Sequence, residues 1–269
     1  MKLIANVSQT YGSVRYKEID QFTSDNNVAI LNKLDYITFS FHNCTSEFIE
    51  YAKNKIITKL PTCIFYEFNN IPYCESIRLY LMNLLALGCT DYILWQDDHY
   101  INDNQFTARI FDKLLSYYKS SDINYLGLFG NSYGTMLVNN IPIHETRNII
   151  DNLYIYQVDC NEINRYDQWL KLNNYYSIYA YTDENYVASI EFALQYFFTF
   201  ENANLNVWAL ESKLCYDSAI NNIRKWISNA ILFYRSSFST KDIIGVNTDL
   251  LPLLDMQNVE HFNNSILIT

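Results

Sequence analysis

Short apolar runs alternate, in the first part of the chain, with segments whose apolar residues recur every three or four positions. Residues 3–7, 36–41, 62–68 and 91–95 are short, rich in β-branched and aromatic side chains, and bounded by polar turns. That pattern predicts buried strands. The first runs into a polar turn over 8–12, and residues 30–34 lead into the second. Thr45 or Ser46 can N-cap a helix whose apolar face is Phe48, Ile49, Ala52 and Ile56. Ile77, Leu81, Leu84 and Leu85 mark another helix within 75–87. Strand, helix and strand in succession predict a mostly parallel α/β sheet flanked by helices.

Further along, 104–118 reads as a helix, 125–129 as a strand and 130–134 as a Gly/Asn turn, with 135–138 as a further strand. Residues 142–152 fit no single pattern. A strand over 154–158, a short helix over 166–172 and a β-like stretch over 175–181 follow. Thr182, Asp183 and Glu184 would then cap a helix over 185–198, striped by Val187, Ile190, Ala193, Leu194 and Phe197. Residues 205–210 read as a returning strand and 219–233 as a last helix before a loosely patterned tail. No linker or repeat interrupts the chain, which predicts one domain over 1–269: a donor half (1–101), an acceptor half (102–217) and a C-terminal helix and tail (218–269).

Charge narrows the function. The formal net charge is −10 with no block of Lys or Arg, which disfavours duplex nucleic acid and anionic lipid as partners. No apolar run has the length of a membrane span, and the N-terminus lacks a signal-peptide core. The six cysteines form no Cys-x-x-Cys pair, so neither a zinc site nor a disulfide framework is predicted. A cytoplasmic protein is expected from these features, with a virus-encoded enzyme in a host cytoplasm as a variant. The 24 tyrosines dilute aromatic clustering as a signal.

The chemistry concentrates where the fourth apolar run ends, at Gln96, Asp97, Asp98 and His99. Ligands of open α/β sheets bind beyond the carboxyl ends of the strands. Two adjacent carboxylates there repel unless a cation or hydrogen bonds compensate, and Mg²⁺ or Mn²⁺ carrying phosphate oxygens suits them. The plain alternative is that both acids cap a helix or solvate a turn.

Three stretches carry a resemblance to the GT-A fold nucleotide-sugar glycosyltransferases, most of all to glycosyltransferase family 2. Ile71-Pro-Tyr-Cys-Glu-Ser-Ile-Arg78, then Met82-Asn83, then Tyr92 to Asp98 resemble the family's arginine-bearing helix, its strand and its DxD element. The opening strand with Thr10 and Tyr11 resembles the first nucleotide-contacting loop. Asp183-Glu184, an amphipathic helix, a strand and Tyr216-Asp217 resemble the acceptor-side motif. There are departures: Gln96 replaces the first DxD acid, Ser40-Phe-His-Asn43 stands where the family often has a base-reading acid, and Ile71-Pro72 replaces a glycine. No Gln-x-x-Arg-Trp motif follows.

The resemblance implies a metal-dependent, inverting transfer of a sugar from a nucleoside-diphosphate sugar, UDP-sugars first, to a carbohydrate or other hydroxyl acceptor. Asp98 would hold Mn²⁺ or Mg²⁺. Thr10, Tyr11, Ser40, Arg78, Gln96 and Asp97 would contact the nucleotide sugar, and Asp183 or Glu184 would take the acceptor's proton. Against these stand plainer roles: Arg78 as a helix cation paired with Glu75, and Asp183 and Glu184 as N-terminal helix acids held ionised by the macrodipole. Acceptor specificity is expected in 130–134, 139–144 and 175–181. Two alternatives keep the scaffold: a viral-type enzyme glycosylating a modified DNA base, and a catalytically silent sugar-binding protein. A nucleotidyltransferase is a further one, although no Gly-rich phosphate loop is present.

Overall fold

The computed structural model describes residues 2–12, 15–96, 99–101, 105–128, 142–150, 153–160, 185–214, 223–229 and 233–235. Its first strand, β1 (Ile4–Tyr11), runs through the polar stretch expected to turn. Ser8, Gln9 and Thr10 are buried, and their main chain is absorbed by neighbours on both sides: Gln9 sits opposite Ser40 and opposite Gln96. Ladder pairing on both edges outweighs the turn preference of these side chains. The turn comes at Gly12, whose φ of 74° is the left-handed region glycine tolerates.

Helices α1 (Tyr16–Phe22) and α2 (Asp25–Leu31) occupy the segment before the second strand, so the residues from 30 onward end a helix and do not begin a strand. Then follow β2 (Thr38–His42), α3 (Ser46–Lys59), β3 (Ile64–Phe68), α4 (Tyr73–Ala86) and β4 (Asp91–Gln96). Thr45 caps α3 by accepting from the Phe48 N–H, and the face of that helix which packs inward carries Phe48, Ala52 and Ile56. Short β5 (His99–Ile101), α5 (Gln105–Ser120), β6 (Tyr125–Gly127), β7 (Glu145–Ile150) and β8 (Leu153–Asp159) continue the chain.

The C-terminal part departs from its sequence pattern. Residues 186–189 form a strand, β9 (Tyr186–Ser189), and the helix expected from Asn185 begins only at α6 (Ile190–Tyr196), capped by Ser189. The expected strand over 205–210 is largely helical: α7 spans Val207–Leu214. The expected helix over 219–233 holds instead a strand, β10 (Arg224–Ser228), and β11 begins at its last residue (Phe233–Arg235). At 186–189 and 224–228 strand pairing overrides local periodicity.

Nine strands form one sheet in the order β3-β2-β1-β4-β9-β6-β10-β8-β7, while β5 and β11 pair separately. The first four are mutually parallel, as is the β6–β10 pair; β9 enters antiparallel between β4 and β6, and β7 and β8 are antiparallel additions. The expected α/β sheet flanked by helices is thus present. One face packs Ile77, Leu81 and Leu84 of α4, Ala193 of α6 and Leu214 of α7 over Val7, Leu94 and Tyr186. The other packs Phe22, Phe48, Ile56 and Leu114 over Ile4, Phe39 and Trp95.

Between β1 and β2 the ladder is bridged by a side chain. The Thr38 N–H donates to Asn6 Oδ1 (2.8 Å), while Asn6 Nδ2 donates to the Thr38 carbonyl (2.7 Å) and to Ser8 Oγ (2.7 Å). Thr38 Oγ1 donates to the Asn6 carbonyl and accepts from the Tyr80 hydroxyl (2.6 Å). The carboxamide presents a donor and an acceptor as a peptide group does, and so stands in for main chain.

Candidate functional site

The parallel strands β1, β2 and β4 end at one edge of the sheet. Tyr11 lies opposite His42, and Gln9 opposite Gln96, so β4 ends beside the end of β1. The Gly12 N–H donates to the His42 carbonyl (3.0 Å), and Asn43, at a φ of 52°, donates from its N–H to the Phe68 carbonyl (3.1 Å). Asn43 Oδ1 in turn accepts from the Asn70 N–H (2.8 Å). These bonds tie the loops after β1, β2 and β3 into a rim.

Aromatic rings line that rim. Tyr11 stacks on His42 with centroids 4.3 Å apart and 23° between planes, and Phe68 lies 5.2 Å from the same imidazole. Tyr73, the first residue of α4, is 5.9 Å from Tyr11. Its hydroxyl accepts from Gln9 Nε2 (3.3 Å), and Gln9 Oε1 accepts from the Tyr11 hydroxyl (3.3 Å). Ser40 Oγ is 2.9 Å from His42 Nε2. Burial pushes the His42 pKa down to about 4, so the ring is neutral at physiological pH. Thr10 Oγ1 and His42 Nδ1 are buried and find no hydrogen-bond partner among the described residues. Polar atoms left unmatched at a strand edge are unusual in a structural core and mark a place where a ligand's groups would be welcome.

The start of α4 has the form of an anion site, but its first-turn donors are engaged. The Cys74 N–H donates to the Leu205 carbonyl (3.2 Å) and the Glu75 N–H to the Ala203 carbonyl (3.0 Å). Arg78 is held bidentately by Glu75, with Nε and Nη2 each 2.6 Å from a carboxylate oxygen, and its guanidinium lies 5.9 Å from the Phe200 ring centroid. The pairing raises the Arg78 pKa and lowers that of Glu75, the mutual hydrogen bond being the larger cause for each. The His42 cluster is accordingly electrically neutral.

Of the residues singled out in the sequence, Tyr11 and Ser40 meet at this rim, joined by Gln9, His42 and Tyr73; Thr10 shares the strand end, opposite Phe41, but alternation turns its side chain to the other face of the sheet. His42 was visible only as part of the stretch replacing a base-reading acid, and Tyr73 only as part of the stretch from Ile71 to Arg78; neither Gln9 nor Tyr73 was given a role, because their relation depends on α4 meeting the end of β1. Gln96 is placed at the same edge by its register. Asp97, Asp98, Asp183 and Glu184 lie outside the described residues, as do residues 130–134, 175–181 and Asp217. Among the described residues no group of three or more His, Cys, Asp or Glu side chains could hold a metal ion.

Two findings bear on those acids all the same. Strand β9 begins at the carboxyl edge, because Tyr186 lies opposite Leu94 while Ser189 lies opposite Asp91. And since Asn185 is followed by strand, the helix-cap and macrodipole explanation of Asp183 and Glu184 does not hold; Ser189 is the cap. His144, expected on the acceptor side, sits at the opposite edge. It precedes β7 near the end of β8, where its Nε2 is 2.7 Å from Asp159 Oδ2 and its N–H donates to the Gln157 carbonyl.

No protein-family model matches the sequence, and no curated protein does. Among solved structures the chain is similar to a fragment of S. aureus TarS (residues 1–349) at 12% identity and a TM-score of 0.49, over 99% of this chain and 71% of that one. It is similar to glucosyl-3-phosphoglycerate synthase from Mycobacterium tuberculosis, solved with Mn²⁺, UDP and phosphoglyceric acid, at 11% identity and a TM-score of 0.40, over 77% and 66%. A 4-diphosphocytidyl-2C-methyl-D-erythritol synthase from Anaerococcus prevotii gives 10% identity and a TM-score of 0.43, over 79% and 81%. The chain spans 43% of a longer TarS structure. No helix among the described residues is long and apolar enough to cross a membrane. The likeness to these proteins is one of fold.

Proposed function

We propose that the protein is a glycosyltransferase that moves a sugar from a nucleoside-diphosphate sugar to an acceptor hydroxyl, with inversion and with the help of a divalent cation. The observation that carries this reading is the aromatic, uncharged rim of Tyr11, His42, Phe68 and Tyr73 at the strand edge from which the chain departs toward Asp97 and Asp98. Flat aromatic faces with a few unmatched polar atoms suit a nucleobase and ribose.

Among the described residues, the guanidinium and two of the helix donors nearest this rim are already engaged. Arg78 is committed to Glu75, and the α4 donors to residues 203 and 205. This supports a need for a cation: Asp98, with Asp97 beside it, would hold Mn²⁺ or Mg²⁺, which supplies neutralisation of the charge that grows on the departing diphosphate. Gln96 adds no charge there and is suited to a ribose hydroxyl. Asp183 and Glu184 come just before the residue that starts β9 at this edge, which supports one of them as the base that takes the acceptor's proton.

The test is a calorimetric and thermal-shift series of nucleoside diphosphates and nucleotide sugars, each with and without Mn²⁺. Stabilisation that requires both nucleotide and metal, and turnover of at least one nucleotide sugar, is the expected result. Metal-independent sugar binding with no turnover would replace the reading with that of a silent carbohydrate-binding protein.

A further inference from the structure

Helix α4 is apolar on both of its sides. From Leu79 to Leu87 the chain holds no charged residue. Ile77, Leu81 and Leu84 are buried in the core, yet the outward face continues apolar. Arg78, Met82 and Leu85 follow there at helical spacing, with Met82 47% and Leu85 36% exposed. Phe200, 82% exposed and the most open large apolar side chain among the described residues, stands at one end of this stripe, its ring 5.9 Å from the Arg78 guanidinium. Arg78 Nη1 is in turn 3.3 Å from Met82 Sδ, so ring, guanidinium and thioether form one continuous strip. The two charges at its edge cancel, since Glu75 holds Arg78 bidentately. Helix α3 shows the ordinary alternative: its exposed positions include Glu47, Glu50 and Lys59. A helix that is apolar all round is a covered helix, and an exposed apolar strip rimmed by polar groups marks a contact surface.

We propose that this face of α4, with Phe200, is where two copies of the chain meet as a reversible two-fold dimer. Charge selects the occupant. With a net charge of −10, copies of this chain repel wherever their acidic surfaces face one another, and a strip whose ion pair is internally neutralised is where that repulsion is least. An anionic lipid surface is a poor match, because Arg78, the cation of the strip, is already held by a carboxylate. Shape agrees with charge, since a two-fold contact needs one patch that complements itself. Arg78 and Leu85 are about 10 Å apart along the helix, at 1.5 Å per residue, with Met82 between them. An axis passing near Met82 of antiparallel helices lays Phe200 and Arg78 of one copy over Leu85 of the other, and the reverse. The two thioethers then pack on each other at the axis, where an unbranched, polarisable side chain adapts to its own image. Ala86, exposed and small beside them, lets the backbones approach.

Sedimentation velocity of the full chain over about 1–100 μM tests this, the range in which a contact of one helix face and one ring dissociates. A monomer giving way to a dimer as concentration rises is expected. Added NaCl should strengthen the dimer by screening the net charge, the opposite of what an ion-paired contact does. Met82→Glu and Leu85→Glu, each bringing like charges together at the contact, should weaken association at least about tenfold with unchanged melting temperature. Ile57→Glu, at an exposed apolar position on α3, should leave it unaltered. Under mild oxidation Met82→Cys should give a disulfide-linked dimer and Ile57→Cys should not. A chain monomeric up to about 100 μM, a dimer indifferent to both α4 variants, or one weakened equally by Ile57→Glu would overturn the proposal. Binding of a monomer to phosphatidylcholine vesicles, lost in Phe200→Ala, would overturn it too and give the strip to a membrane surface instead.

Discussion

Replacing Asn6 by Ala tests whether a side-chain amide substitutes for main chain between the first two strands. The Thr38 N–H and carbonyl, both buried, face β1 and find there the carboxamide of Asn6 at 2.8 and 2.7 Å. Alanine removes both partners at once and also the donor to Ser8 Oγ. A buried main-chain group left unmatched costs about 1–3 kcal/mol, so two of them predict a loss of roughly 2–6 kcal/mol. Water entering the space left by the missing amide would bring the value toward the lower end, about 2–3 kcal/mol. Urea denaturation should show this as a lower midpoint with an unchanged slope. Asn6→Asp is the companion variant: it keeps the acceptor for Thr38 but loses both donations and buries a carboxylate against a carbonyl. Its carboxyl pKa should rise, so its stability should be greatest at acid pH and fall as pH climbs through that raised value. A loss below about 0.5 kcal/mol for Asn6→Ala, the range of an ordinary surface change, would refute the idea that the amide completes the ladder.

The His42 pKa, lowered to about 4, gives a signed dependence on pH. The unfolded ring takes up a proton near 6.5 while the folded one resists until about 4, so stability is full above 6.5 and falls by about 3 kcal/mol as pH drops through that window; His42→Phe should flatten this part of a stability-versus-pH curve, and an unaltered slope would count against the buried neutral ring. Asp98→Ala should abolish both sugar transfer and the metal-dependent stabilisation by UDP while leaving the melting temperature without ligand unchanged. Asp183→Asn and Glu184→Gln, made separately, should divide: one loses turnover at least about a hundredfold with UDP binding retained, as expected of a general base, and equal activity of both with wild type would dismiss that role. Glu75→Gln should cost under about 1 kcal/mol in denaturation experiments, since its pair with Arg78 is part-exposed and lies within one helix turn.

The first hundred residues were legible in the sequence because their strands and helices alternate in the chain as they do in space. Each apolar run from Ile4 to Trp95 pairs with a parallel neighbour separated by one helical layer, and Thr45 announces α3 by a local bond to Phe48. Errors there came from polar residues: Ser8, Gln9 and Thr10 look like a turn until β2 and β4 are present to bury them. The residues that follow were harder to read. Tyr186–Ser189 carries helical spacing into Ile190, yet its partners are β4 and β6, distant in sequence. Arg224 and Lys225 argue against an interior strand, and still Lys225 is buried, its Nζ 5.0 Å from the Tyr125 ring centroid and its stem filling the space that a side chain on Gly127 would need. Of the rim, Tyr11 and Ser40 lie in stretches that the resemblance singled out, whereas the contacts of Gln9 with Tyr73 and of His42 with Phe68 join residues distant in sequence, and no one-dimensional pattern encodes that.

The placement of β9 has a consequence for how the chain is made. As the polypeptide emerges from the ribosome, β4 is finished with β1 on one side and nothing on the other, and it stays so until Tyr186 to Ser189 have been synthesised. During that interval an apolar strand edge ending in Trp95 stands open in a nascent chain, a template for pairing with a neighbouring copy. Fragments truncated before β9 should therefore precipitate where the full chain stays in solution, and slow translation across the intervening segment would lengthen the exposure.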